Sequence, residues 1–129
     1  MIQRKFSLSS RILSFKFAFD GFITMIKNEH NSRIHLLLSI IVITVGIFLK
    51  LTLIEWSLVI ILIGLVFIAE LFNSAIEKIS DMIDHEINPE IRIIKDYTAA
   101  AVLISAIVSA TVGAIIFMPK LIELVKTWY

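Results

Sequence analysis

The stretch "WSLVIILIGLVFIAELFNSAIEKISD" (residues 56–81) is an apolar run that ends in a series of polar and acidic residues. Its first part carries no charge, and Glu70 is the first acidic residue that follows. A helix needs about 20 apolar residues to cross the hydrocarbon core of a bilayer. The stretch therefore predicts a transmembrane helix that carries carboxylates as it leaves the membrane, and an ionisable group at that depth is a candidate functional residue.

Two further stretches have the same apolar character, "LLLSIIVITVGIFL" (36–49, extending to Ile54) and "TAAAVLISAIVSATVGAIIFM" (98–118). The chain has 129 residues, 58% of them hydrophobic, which is too apolar for a soluble domain of this size. With no cysteine, disulfides and thiolate metal sites are excluded. We expect an all-α integral membrane protein with a single domain over 1–129. The expected transmembrane spans are 34–54, 56–76 and 98–118, and 77–97 is expected to form a cytoplasmic helix extension and turn.

The N-terminal segment 1–33 is basic and rich in phenylalanine. Phe15, Phe19, Phe22 and Ile26 recur at intervals of three to four residues, so they share one helical face. This pattern predicts an amphipathic helix that lies on the membrane surface.

The distribution of basic residues predicts the orientation in the membrane. Six Lys and Arg residues precede the first span, one (Lys50) lies near its end, where the chain turns to the second span, and three lie between the second and third. The positive-inside rule therefore predicts that the N-terminus and the 78–97 segment face the cytoplasm of a bacterial inner membrane. In that segment, Asn88 and Pro89 are expected to cap and begin the third span.

The polar residues of the second span fall on one side of the helix. At about 100° per residue, Asn73, Glu77 and Asp81 all lie within about 60° of Glu70. A solvated helix end explains Glu77 or Asp81 taken alone, but it explains Glu70 less well because this residue lies deeper. The combination predicts a site at the membrane interface that handles cations, protons or phosphates.

Carboxylates from two helices suit a magnesium site. Glu29, in "KNEHNSR" (27–33), precedes the first span and reaches the same interface as Glu77. Mg²⁺ takes few protein carboxylates together with phosphate oxygens and water, and Lys95 is expected to neutralise phosphate charge. There is no Walker motif, so a nucleotide would be held by metal and side chains. The histidines at 30, 35 and 85 are not in ligand spacing and are interpreted as packing residues.

Three motifs together are similar to one family. "NEHNSRIH" (28–35), "AELFNSAIEKISD" (69–81) and "KDYTAAAVLI" (95–104) resemble the prokaryotic diacylglycerol kinase family, which includes undecaprenol kinases. The resemblance extends from about Arg11 to the third span. It implies a homotrimeric lipid kinase without a nucleic-acid partner. Such an enzyme transfers the γ-phosphate of ATP to the hydroxyl of diacylglycerol or undecaprenol.

The same resemblance implies roles for individual residues. Glu70 would be the general base, and Glu29 and Glu77 would hold Mg²⁺ and the nucleotide. Glu70 would face the lipid substrate together with Asn73 and Ala99. Further nucleotide contacts are implied for Arg11, Phe17, Glu86, Ile87, Asn88, Lys95 and Asp96. The Arg11 assignment requires a one-residue shift, and Phe17 replaces a tyrosine of relatives, which preserves stacking but not a hydroxyl contact.

Two other classes of function fit part of the pattern. A small proton-coupled transporter would use Glu70 as its proton site, but it has no need for Glu29 and Glu77 at the interface. A non-enzymatic assembly protein would use the small-residue face of the third span, which includes Ala106 and Ala110. If the chain is a lipid kinase, the segments "IEWSLVIILIG" (54–64) and "IIFMPKL" (115–121) look more like the undecaprenol kinase branch than the diacylglycerol kinase branch.

Overall fold

A computed structural model describes residues 8–83 and 88–127 of the chain. The described residues form helices α1 (Leu8–Asn28), α2 (His30–Phe48), α3 (Leu53–Ile83) and α4 (Pro89–Thr127). Helices α2, α3 and α4 are each long and apolar enough to cross a membrane. The predicted all-α fold with three candidate spans is thus confirmed, while the homotrimer stays a prediction.

The turn between α2 and α3 ends the first span earlier than the predicted 34–54 segment. Lys50 has a positive φ of 52°, which reverses the chain direction. Its N–H donates to the Ile47 carbonyl at 3.2 Å, and the Leu51 N–H donates to the Gly46 carbonyl at 3.1 Å. These two bonds form a Schellman motif, which satisfies the last carbonyls of a helix and stops it. The apolar composition of the segment conceals this stop because Lys occupies the position that glycine usually marks.

The start of α3 is held by a reciprocal pair of hydrogen bonds. The Thr52 N–H donates to Glu55 Oε2 at 2.7 Å, and the Glu55 N–H donates to Thr52 Oγ1 at 3.3 Å. This capping box satisfies two backbone donors that a helix start leaves free. Lys120 of α4 pairs with Glu55 at 3.1 Å, so the cap also joins α3 to α4.

The apolar core lies beside this turn, where α3 and α4 pack together. Leu51, Val59 and Ile116 are buried at its centre. Gly46 permits the close approach of the turn, because a Cβ there would lie 2.8 Å from Leu51 Cδ1 and 3.0 Å from a ring carbon of Trp56. The end of the bundle far from Glu70, Glu77 and Asp81 is therefore closely packed.

Helix α4 begins as the sequence predicts. The Asn88 side-chain oxygen accepts the Glu90 N–H at 3.0 Å, and Pro89 occupies the first helical position. The helix continues beyond the predicted 98–118 span at both ends. It has Pro119 in its interior.

Helix α1 contacts the bundle through its C-terminal half. Met25 is buried, and the Phe22 ring meets Phe67 of α3 edge to face with centroids 5.3 Å apart. Phe15 and Phe19, on the same predicted face, are 78% and 66% exposed. The helix itself is confirmed, whereas its position on a membrane surface stays a prediction.

Candidate active site

Glu70 lies buried where α3 contacts α2. The residue is 2% exposed, and the hydroxyl of the fully buried Ser32 donates to its Oε2 at 3.2 Å. His35 Nε2 is 3.3 Å from Oε1, but the two atoms are not aligned for a hydrogen bond. Among the described residues, Oε1 therefore has no hydrogen-bond donor. The carboxylate is held through one oxygen, and its other oxygen makes no hydrogen bond within the described residues.

Glu77 follows Glu70 after two turns of α3 and is oriented by a neighbour. Asn73 Nδ2 donates to Glu77 Oε1 at 3.2 Å. The Asn73 side-chain oxygen and the Ser74 hydroxyl are buried with no hydrogen-bond partner among the described residues. Because unpaired buried polar atoms are costly, these two oxygens suit a partner that comes from outside the chain.

A cleft of about 440 Å³ opens between the end of α1 and the polar side of α3. Glu29 and Glu77 both line it, so the structure brings together the two carboxylates that the sequence predicts to share a site. Glu29 is the N-cap residue of α2, yet its side chain makes no capping hydrogen bond there. Its carboxylate is therefore available to the cleft. The other described lining residues are Gly21, Thr24, Met25, Asn28, Leu71, Ser74, Ala75, Lys78 and Asp81.

The oxygen donors of this cleft suit Mg²⁺. The ion usually takes one or two protein carboxylates and completes its shell with phosphate oxygens and water. Glu29 and Glu77 supply that number, and Ser74 adds a neutral oxygen that has no hydrogen-bond partner in the part of the chain that the structure describes. Over residues 8–83 and 88–127 there is no group of three or more His, Cys, Asp or Glu side chains that could hold a metal by itself. The donor set thus fits a metal ion whose remaining ligands are the phosphate oxygens of a bound substrate.

A positively charged side chain, that of Lys95, lies at the rim of the cleft. Lys95 of α4 pairs with Asp81 of α3 at 3.0 Å, and Asp81 lines the cleft. Lys95 precedes the charge-free stretch that begins at Thr98. The hydrogen bond and the negative charge of Asp81, with a smaller effect from Glu77, raise the pKa of Lys95. Lys95 therefore stays protonated at neutral pH.

The remaining predicted residues are spread over the single chain. Asn88 uses its side-chain oxygen as the helix cap, and Phe17 on α1 is 67% exposed. Glu86 and Ile87 lie outside the described residues, as do Asp84 and His85. The described lining of the cleft does not include Arg11, Phe17, Asp96 or Ala99.

Two residues beside Glu70 are missing from the predicted site. The sequence pattern does not single out Ser32, and it favours a packing role for His35, whereas both contact the Glu70 carboxylate in the structure. The signal lies in α2: polar residues at 29, 32, 35 and 39 recur every three to four residues and form one face. That face meets α3 at Glu70.

Comparisons with known proteins agree with this geometry. The family model for prokaryotic diacylglycerol kinase matches residues 16–117. The undecaprenol kinase of Bacillus subtilis is 36% identical over 84% of this chain and 88% of its own length. A diacylglycerol kinase of Synechocystis is 33% identical over 88% of this chain and 65% of its own length.

Proposed function

The chain belongs to the prokaryotic diacylglycerol kinase family and is an ATP-dependent lipid kinase; we propose that its lipid substrate is undecaprenol. The undecaprenol kinase relative supports this choice because the match extends over most of both chains. Diacylglycerol is the second candidate, supported by the other relative. A proton-coupled transporter is no longer needed to explain the buried carboxylate. We further propose that the enzyme lies in the bacterial inner membrane, with its site at the cytoplasmic face.

The observation that carries the mechanism is the separation of two kinds of carboxylate along α3. Glu70 is buried against α2, whereas Glu77 lines the open cleft together with Glu29. Glu70 and Glu77 are seven residues apart, or about 10 Å at 1.5 Å per residue. This distance is too long for both to ligate one ion, but a chain of phosphates can extend across it.

Glu70 is the general base of this proposal. A lipid hydroxyl is a weak nucleophile until a base within hydrogen-bond reach accepts its proton. The open Oε1 atom receives that proton, while the Ser32 hydroxyl holds Oε2 in position. Burial excludes water, which would otherwise compete with the lipid as the phosphoryl acceptor.

Glu29 and Glu77 hold Mg²⁺ at the nucleotide end. When bound, the ion neutralises charge on the phosphate oxygens as the γ-phosphoryl group is transferred. Asn73 fixes the Glu77 side chain through the 3.2 Å hydrogen bond. The protonated Lys95 adds a positive charge at the cleft rim, where it also pairs with Asp81.

We propose that the other implied contacts involve more than one copy of the chain. Arg11, Phe17 and Asp96 for the nucleotide, and Ala99 for the lipid, are exposed in the single protomer. Most of the apolar surface of α2, α3 and α4 is exposed as well. We propose a homotrimer in which neighbouring copies cover part of this surface and bring these residues to the site.

The test compares Glu70→Gln with Glu77→Gln in the purified full-length enzyme. Glu70→Gln should lower kcat by roughly 10² or more with little change in Mg²⁺-dependent ATP affinity, because only proton acceptance is lost. Glu77→Gln should weaken that affinity markedly. Glu123→Gln, the same change on an exposed part of α4, serves as the control. Equal losses of nucleotide binding in both variants would mean that the two carboxylates form one metal site.

A competition assay addresses the lipid. Undecaprenol and diacylglycerol are offered together with radiolabelled ATP, and the labelled lipids are separated. Preferential labelling of undecaprenol is expected, and preferential labelling of diacylglycerol would reverse the substrate assignment.

A further inference from the structure

A buried general base needs a route by which its proton leaves after each turnover. The Glu70 side chain is 3% exposed, so bulk water does not reach the carboxylate directly. Ser32 is fully buried and already donates its hydroxyl hydrogen to Oε2. Neither side chain by itself connects the reaction to solvent.

His35 is a partly exposed neighbour of the buried Glu70 carboxylate. Its Nε2 is 3.3 Å from Glu70 Oε1, and its side chain is 19% exposed. Histidine is the side chain that ordinarily gains and loses a proton near neutral pH. Among the described contacts of Glu70, His35 is the partly exposed residue that lies next to Oε1.

We infer that His35 is the proton-exchange partner of Glu70, an inference that rests on the proposed role of Glu70 as base. The lipid O–H bond breaks as its oxygen bonds to the γ-phosphorus of ATP, and the proton passes to Oε1; the bond from that phosphorus to ADP breaks, and its electron pair leaves with ADP. The His35 ring then turns to align Nε2 with Oε1, the new O–H bond of Glu70 breaks, and an N–H bond forms at Nε2. The imidazolium releases a proton to water, which restores the neutral ring and the carboxylate. His35 acts on the reaction through Glu70 and is therefore a positioning residue, and Ser32 keeps Oε1 turned toward it.

The experiment uses two variants of the full-length enzyme in lipid-containing micelles. His35→Gln retains an amide that can hydrogen bond to the carboxylate but cannot carry a proton, and His35→Ala leaves space for a small molecule. Both should lower kcat at saturating ATP and lipid by at least about 10-fold, whereas the KM for MgATP should stay within about two-fold. Added imidazole should restore part of the kcat of His35→Ala and none of that of His35→Gln. His30→Gln, at the exposed start of α2, is the matched control and should keep wild-type kcat.

A purely structural role gives a different pattern. His35→Gln would then retain wild-type kcat, and His35→Ala would be impaired without response to imidazole; either result overturns the inference. If His35→Ala does not fold, as judged by helix content and elution volume, His35→Gln decides alone by the same kcat criterion.

Glu70→Gln, measured in parallel, separates this inference from the proposed function. Wild-type activity in Glu70→Gln would overturn the base assignment itself. Loss of activity in Glu70→Gln with wild-type kcat in both His35 variants would leave the base in place and overturn only the exchange partner. In the double variant Glu70→Gln/His35→Gln, no loss beyond that of Glu70→Gln is expected, because His35 acts through Glu70.

Discussion

Removal of the Ser32 hydroxyl tests whether the contact between α2 and α3 depends on the Glu70 carboxylate. Ser32 is fully buried and donates to Glu70 Oε2 at 3.2 Å. Side-chain hydrogen bonds between membrane helices contribute about 0.6 kcal/mol on average and at most about 1.7 kcal/mol. Bonds to charged acceptors contribute about 1.5–3 kcal/mol. Because Oε1 has no donor among the described residues, Ser32→Ala leaves the carboxylate without a hydrogen bond, and we expect a loss at the overlap of these ranges, about 1.5 kcal/mol.

The assay is reversible unfolding of the full-length protein in mixed micelles, followed by helix content and tryptophan fluorescence. Ser39→Ala is the matched control, because it makes the same change two turns later in α2. The Ser39 hydroxyl donates at 2.7 Å to the His35 carbonyl of its own helix. Such a bond adds little stability, and alanine favours the helix by up to about 0.5 kcal/mol. A loss of about 1.5 kcal/mol changes the unfolding equilibrium roughly tenfold and separates the two variants.

Equal free energies of unfolding for Ser32→Ala and Ser39→Ala would refute this prediction. If Ser32→Ala is as stable as Ser39→Ala, the hydroxyl does not hold Glu70 in the folded protein. In a Glu70→Leu background, Ser32→Ala should cost clearly less than in the wild type, because the acceptor is already gone. An unchanged cost there would trace the effect to Ser32 packing.

Gly46→Ala should lower the free energy of unfolding, because the new Cβ meets the α2–α3 turn. Gly64→Ala, where a Cβ has open space, should raise it by up to about 1 kcal/mol in the same assay. A stabilising Gly46→Ala together with a destabilising Gly64→Ala would contradict the close approach at Gly46. Lys95→Met should raise the KM for MgATP by about tenfold or more. Asp81→Asn, which breaks the same ion pair, should raise that KM much less. Equal increases in KM would mean that the ion pair, and not the Lys95 charge alone, is needed for nucleotide binding. A cysteine at Asn88 should react with an impermeant thiol reagent only after the membrane is permeabilised, and reaction in intact cells would reverse the proposed orientation.

The helices could be predicted from the sequence because their signals are local. Apolar length marks the three candidate spans, and the Asn88 cap follows from one polar residue before a proline. The end of α2 could not be predicted in the same way. Lys50 adopts a left-handed conformation that the sequence does not signal, and the stop depends on hydrogen bonds that form only in the completed turn.

The candidate site shows the same division between local and long-range information. The periodicity of α3 groups Glu70 with Glu77 because both residues belong to one helix. The contact of Ser32 and His35 with Glu70 joins residues more than 30 positions apart, and it depends on the depth at which α2 packs against α3. Helix periodicity indicates which face of α2 is polar, but it does not give the vertical register between two helices.

In the proposed mechanism, the length of α3 lets one small chain serve two substrates of opposite polarity. A base for a lipid hydroxyl needs surroundings that exclude water, whereas a magnesium site for a nucleotide needs solvated carboxylates and an open approach. Leu53–Ile83 has 31 residues, more than the roughly 20 that a bilayer requires. The surplus continues the same polar face from the buried Glu70 to the open cleft at Glu77 and the exposed Asp81.

Because a helix is rigid, the distance between the two environments is fixed by residue spacing alone. An insertion of one residue between Glu70 and Glu77 would rotate the two carboxylates by about 100° relative to each other. Phosphoryl transfer should then be lost although both carboxylates remain.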